Sequence, residues 1–251
     1  NESWQLYHDE LEYPLKEAIA SYCDHTVDGV LIGNGSNELI FHSLLATVKH
    51  GDTVIYPDPS FSLYRQNAVV LGGKPVPFRL NEKDFSVDSK MVIELAKKEN
   101  AAAVILCSPN NPTAGLVDNE TIAEIAAGIN ALVVVDEAYT QFASGSAFEL
   151  LEDFSNLILL RTFSKAFGLA SMRMGYSLSQ PETAIQIGKV QLPHHVNFFT
   201  QAAATTLLES PDLIDKRVHD ILSERVRLSE ELSKLPGIKL FPSETNFFLA
   251  D

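Results

Sequence analysis

A chain of 251 residues with 45% hydrophobic side chains is long enough to bury a large core, and its composition is that of an ordinary globular protein. Its formal charge of −14, from 33 acidic against 19 basic side chains, argues against nucleic acid or an anionic membrane as the main partner, since both are bound through accumulated lysine and arginine. Two well-separated cysteines, Cys23 and Cys107, form neither a disulfide framework nor a zinc motif, and no apolar run or leader pattern marks a membrane span or export, so a reducing, cytoplasmic setting is expected.

In chain order, Leu6-Tyr7-His8-Asp9 places an aromatic residue ahead of Leu11–Tyr22, where Leu11, Leu15, Ala18, Ile19 and Tyr22 share one helical face. Val30–Ile32 reads as a strand that runs through Gly33-Asn-Gly-Ser-Asn-Glu38 into a helix over Leu39–Val48. A glycine turn at a helix start offers unpaired N–H groups, here with the Ser36 hydroxyl, to a phosphate. A simple helix cap is the other use for Ser36. Thr53–Tyr56 is the next strand, closed by Pro57-Asp-Pro59, and Ser60–Tyr64 opens a helix. Phe61 stands at that strand's end, where ligands gather, and could equally pack as a core aromatic. Lys74–Phe78 reads as a strand and Val87–Lys98 as a helix with Val87, Met91, Ile93 and Leu95 on its apolar face.

Ala102–Cys107 is continuously apolar, as a strand covered on both faces should be. In the loop Ser108-Pro-Asn-Asn-Pro-Thr-Ala-Gly115 two prolines bracket two asparagines, which lets a carboxamide present a directed N–H donor. Asn110 also suits a plain turn. After a helix over Asn119–Ala127, the strand Ala131–Asp136 ends in Asp136-Glu137, with Tyr139 close behind. Such an acidic strand end resembles a nucleotide site, but the chain has no GxxxxGK[ST] loop to partner it.

Asn156–Arg161 and Gly175–Leu178 are strand-like, and between them lies Lys165. An ammonium at the mouth of a buried sheet is unusual for so strongly hydrated a group, because burial favours its neutral, nucleophilic form. That is the chemistry a carbonyl cofactor needs, whereas a surface-loop lysine is the other reading. Val196–Glu209 and Leu213–Leu235 are helical, separated by Pro211, the second with a stripe of Ile214, Val218, Ile221, Leu222, Val226 and Leu228. Beyond Pro236-Gly237, Ile238–Phe241 and Asn246–Leu249 read as strands of a further unit. Strands alternating with helices favour a parallel sheet covered on both faces, and the marked residues fall at strand C-terminal ends, where open α/β sheets hold ligands.

The strings GNGSNE, PDPSFSLY, PNNPTAG, DEAY and RTFSKAFGL with Arg173, together with LYHD near the start, resemble the aminotransferases of fold type I, and within them the histidinol-phosphate aminotransferase branch. The resemblance spans nearly the whole chain. It implies an α/β fold: a large cofactor-binding domain over residues 1–209 with a mostly parallel sheet between helices, then an interdomain helix and the start of a small C-terminal α/β domain over residues 210–251. It also implies pyridoxal 5′-phosphate as cofactor, with Lys165 bonded to it and later shuttling the substrate α-proton. Asp136 would pair with the pyridinium nitrogen, Tyr139 and Asn111 would bond the phenolic oxygen, and Phe61 would stack on the ring. Ser36, Asn37, Ser164 and Arg173 would hold the phosphate. Tyr7 matches a tyrosine that reaches the phosphate from the partner subunit, which implies a homodimer.

The implied reaction joins amino acid and 2-oxo acid substrates: histidinol phosphate and 2-oxoglutarate give imidazole-acetol phosphate and L-glutamate, a step of histidine biosynthesis. An aromatic amino acid aminotransferase, a phosphothreonine decarboxylase of the same fold, and a non-catalytic remnant are the alternatives. Asn37, Ala114 and Ser171 stand where the family usually has aspartate, glycine and glycine. The family's pattern also includes an Asn-Glu-Asn-Pro segment before this stretch and a substrate-carboxylate arginine after it, so the chain reads as truncated at both ends.

Overall fold

The computed structural model describes residues 12–251. In chain order these form α1 (Glu12–Cys23), β1 (Val30–Gly33), α2 (Ser36–Thr47), β2 (Thr53–Asp58), α3 (Leu63–Val70), β3 (Lys74–Arg79), α4 (Ser89–Lys98), β4 (Ala103–Cys107), α5 (Asn119–Gly128), β5 (Leu132–Asp136), β6 (Leu157–Thr162), β7 (Gly175–Ser179), α6 (Pro181–Gly188), α7 (Phe198–Leu208) and α8 (Pro211–Leu232). The strands make one sheet in the order β1-β7-β6-β5-β4-β2-β3. Pairings from β3 through β2, β4 and β5 to β6 are parallel, and β7 runs antiparallel to both β6 and β1. The β6–β7 connection contains no crossover helix, which an antiparallel pair does not need.

Residue parity divides the core into two layers. Val104, Leu106, Val133, Val135, Leu157 and Leu159 pack with residues of α1, α4, α5 and α7. Their neighbours Ala103, Ile105, Cys107, Val134, Ile158 and Leu160 pack on the other face with α2, α3 and α6. The continuous apolar runs follow from this double covering, and each fully buried valine, leucine or isoleucine contributes roughly 1.5–3 kcal/mol.

Four local expectations are revised. Strand β2 continues through Pro57 to Asp58. Its pairing with β4 covers only Val54 and Ile55, so the proline interrupts no ladder there. In α4 the expected Val87, Met91, Ile93 and Leu95 pack partly buried against the core, while the fully buried positions are Ser89, Val92 and Ala96, in a helix that starts at the Asp88 cap, whose Oδ1 accepts from Met91 N at 3.1 Å. The stripe of α8 is buried at Ile214 and packs on the core through Val218, Ile221 and Leu222, but Val226 is 59% exposed. Finally, residues 238–241 and 246–249 pair only briefly: one antiparallel bridge, Leu240 to Ala250, is flanked by hydrogen bonds from Lys239 N to Asp251 O at 2.8 Å, Asp251 N to Lys239 O at 2.9 Å and Phe241 N to Leu249 O at 3.0 Å. A two-stranded pair without a third strand is marginal.

Candidate active site

The β1–α2 turn brings a helix start to the edge of a cavity. Gly35 has φ +80°, and a Cβ there would lie 2.6 Å from Arg173 Nη2, so the guanidinium packs directly against the turn's backbone. Gly175 lies equally close beneath the turn, where a Cβ would meet the Ser36 amide at 2.4 Å. The N-cap of α2 is Gly35, and no side chain caps the helix. Ser36 is thus not a helix cap. The first-turn amides, the Ser36 hydroxyl and Arg173 converge as a set suited to an anion. Arg173 is itself left-handed at φ 55° and is oriented by donation to Ala170 O at 3.1 Å and Ser164 Oγ at 3.5 Å.

Asp136 closes β5 and is 4% exposed. Its Oδ2 accepts from the Tyr64 hydroxyl at 2.8 Å and its Oδ1 from the Ala138 amide at 3.2 Å. Burial raises its carboxyl from the usual 3.8 to about 6, against the lowering effect of those two hydrogen bonds. Burial likewise pushes the Tyr139 hydroxyl and the Cys107 thiol up to about 12, so both stay neutral near pH 7. Lys165 is half-buried, with Nζ 5.1 Å from the Tyr139 ring centroid, a cation–π distance. Phe61 meets Tyr64 edge-on at 5.6 Å.

Adjacent residues take opposite duties. Glu137 points to the other face of the sheet, where it pairs with Arg161 at 2.8 Å and accepts from Ser146 Oγ and Ala147 N. The acidic pair expected from the sequence is therefore split: Asp136 belongs to the cavity and Glu137 to a buried ion pair. The two asparagines divide in the same way. Asn110 accepts from Ser60 Oγ and donates to Pro59 O and Thr113 Oγ1, tying two loops together, while Asn111 lines the cavity.

That cavity, of about 220 Å³, is lined by Ser36, Asn37, Phe61, Tyr64, Cys107, Asn111, Asp136, Ala138, Tyr139, Thr162, Ser164, Lys165, Ala170 and Arg173. Every predicted site residue within the described range is among them, and Tyr7 lies outside the described residues. Tyr64, Cys107 and Thr162 join them without any motif in the sequence that sets them apart as site residues. Tyr64 falls one helical turn after Phe61, a spacing that could have brought it forward. A larger, mostly apolar groove of about 880 Å³ along α8 contains none of the predicted residues.

The family model for aminotransferase class I and II matches residues 2–251. The histidinol-phosphate aminotransferase of Thermoanaerobacter pseudethanolicus is 41% identical over 244 residues, covering 97% of this chain and 69% of that protein. That of Chlorobium phaeovibrioides is 39% identical over 250 residues, 99% of this chain and 69% of that protein. Among solved structures, histidinol-phosphate aminotransferase from Sinorhizobium meliloti in complex with pyridoxal-5′-phosphate matches with a TM-score of 0.90 at 28% identity, over 98% of this chain and 68% of that one.

Proposed function

Because the chain belongs to the class I and II aminotransferase family, we propose that it is a pyridoxal-phosphate-dependent aminotransferase converting histidinol phosphate and 2-oxoglutarate to imidazole-acetol phosphate and L-glutamate. The observation that carries the reading is the meeting, in one cavity, of nine residues drawn from positions 36 to 173. Its donor set fits the cofactor: a buried carboxylate for a cationic ring nitrogen, an amine for a carbonyl, an aromatic face, and an arginine beside a helix start for a phosphate. The names of the relatives favour the histidinol-phosphate reaction over the aromatic and decarboxylase alternatives.

In this reading Ser36, Asn37, Ser164 and Arg173 hold the phosphate, with Phe61 against the ring. When bound, the cofactor supplies an electron sink for the pair released as the substrate's Cα–H bond breaks. Asp136 would oppose the ring nitrogen with its carboxylate and so favour a positive charge there. Tyr139 and Asn111 donate hydrogen bonds to the phenolic oxygen, Tyr139 as a neutral phenol. Lys165 would hold the cofactor through Nζ, and the same Nζ, when free as the amine, would take the proton from the substrate's Cα.

The reading extends to a cytoplasmic homodimer in which Tyr7 serves the partner's phosphate site. The free state of Cys23 and Cys107 is consistent with a reducing compartment, and no helix among the described residues is long and apolar enough to cross a membrane. It also takes residues 1–209 as the cofactor domain and 210–251 as the interdomain helix with the beginning of a small domain. The test is glutamate formation from histidinol phosphate and 2-oxoglutarate by the purified protein supplied with pyridoxal phosphate. Glutamate production from phenylalanine or tyrosine, without any from histidinol phosphate, would overturn the substrate assignment.

A further inference from the structure

Tyr64 is fully buried on α3, 72 positions before the carboxylate it touches. Its hydroxyl takes Asp136 Oδ2 and the Ala138 amide takes Oδ1, so one donor on each oxygen fixes the plane of the carboxylate. The ionisable groups facing Asp136 are Tyr64 from α3, Cys107 from β4, Glu137 and Tyr139 from its own strand end, and Lys165 from the loop after β6. Burial keeps Tyr64, Cys107 and Tyr139 protonated, and Glu137 is matched by Arg161. Asp136 thereby has Lys165 as the one cation among these groups, acting on it without a direct hydrogen bond, and both of its direct donors are uncharged. A cationic partner would stabilise the carboxylate equally well, but it would repel a positively charged ring nitrogen. A phenol stabilises the ionised form without that repulsion.

On the basis of the proposed cofactor, we infer that Tyr64 is a positioning residue that keeps Asp136 ionised and oriented for a cationic ring nitrogen. The role follows from one hydroxyl, so Tyr64→Phe, which keeps the ring and its edge contact with Phe61, is the direct test. Pyridoxal phosphate is titrated into the protein between about pH 5 and 9, with binding followed by absorbance and tyrosine fluorescence. The Tyr64→Phe protein should bind about tenfold more weakly at pH 7, and the pH below which affinity falls should move upward by about one unit, because a carboxylate stripped of a donor holds its proton more tightly.

A purely structural tyrosine would change thermal stability and leave that pH midpoint in place. An unmoved midpoint with unchanged affinity overturns the inference. Tyr64→Gln restores an uncharged N–H donor that does not titrate between pH 5 and 9, and serves if the phenylalanine protein folds poorly. Affinity within a few-fold of wild type, with the midpoint in place, supports the role of an uncharged donor to Asp136, and a tenfold loss with an unmoved midpoint overturns it. Wild-type protein that binds no pyridoxal phosphate would instead overturn the proposed function itself.

Discussion

Replacing Asp136 by asparagine should stabilise the cofactor-free protein while disabling the enzyme. The carboxyl is 4% exposed, and burial raises it from 3.8 to about 6. A folded-state value above the unfolded one means that the group favours folding in its protonated form. Its contribution is fully present below about pH 3.8 and is lost as the pH rises through about 6. At about 1.4 kcal/mol per pH unit, the loss amounts to about 3 kcal/mol by pH 8. Asparagine does not ionise, and its carboxamide can still accept from the Ala138 amide while the Tyr64 hydroxyl turns to accept from its NH₂. D136N is therefore expected to exceed wild type by up to about 3 kcal/mol at pH 8, with the gap closing toward pH 4. Urea unfolding of both cofactor-free proteins at several pH values measures it. A gap that does not vary with pH, or a D136N protein that is the less stable at pH 8, would refute the reasoning. With cofactor present the same substitution should lower kcat by at least about 10²-fold, the exchange of stability for function expected of a charge buried for chemistry.

Three other perturbations probe separate parts of the site. Lys165→Ala should abolish the visible absorbance that marks covalently held cofactor and reduce transamination by at least about 10³-fold; retention of that absorbance would exclude Lys165 as its attachment point. Glu137→Gln strands the Arg161 charge, whose side chain is 10% exposed, and should cost about 3–5 kcal/mol in denaturant unfolding. Because Glu137 lies on the sheet face away from the cavity, cofactor affinity of the folded variant should stay within a few-fold of wild type, and a large affinity loss would contradict that placement. Gly35→Ala combines a φ of +80° with a Cβ 2.6 Å from Arg173 Nη2; it should cost about 1–3 kcal/mol of stability and weaken cofactor binding about tenfold by displacing the guanidinium. Isothermal titration with unchanged affinity would show that the turn and Arg173 do not act together.

Much of the architecture can be read from local spacing. The apolar runs Ala102–Cys107 and Ala131–Asp136 announce doubly covered strands because nearly every position must be apolar when helices lie on both faces. The same runs contain no statement of direction, and β7 is antiparallel to both its neighbours. Helix α6 has no clear mark in the sequence: it is only eight residues long, between β7 and the better marked α7. The exposed second half of α8 is not legible in its stripe, because a stripe reports which face is apolar and not how far the core extends beneath it.

At the site, residue types in a family order were enough to nominate Lys165, Asp136, Tyr139, Asn111, Phe61, Ser36, Asn37, Ser164 and Arg173, since each carries a chemistry that the others complement. Their convergence depends on the sheet order, which brings the ends of β1, β2, β4, β5 and β6 to one cavity. Tertiary structure alone decided that Asp136 and Glu137, neighbours in sequence, serve opposite faces, and that Tyr64 meets a carboxylate 72 residues away. The physical reason is that periodicity is a property of a few consecutive residues, whereas a hydrogen bond across the fold depends on how separate elements pack, and no local pattern encodes that distance.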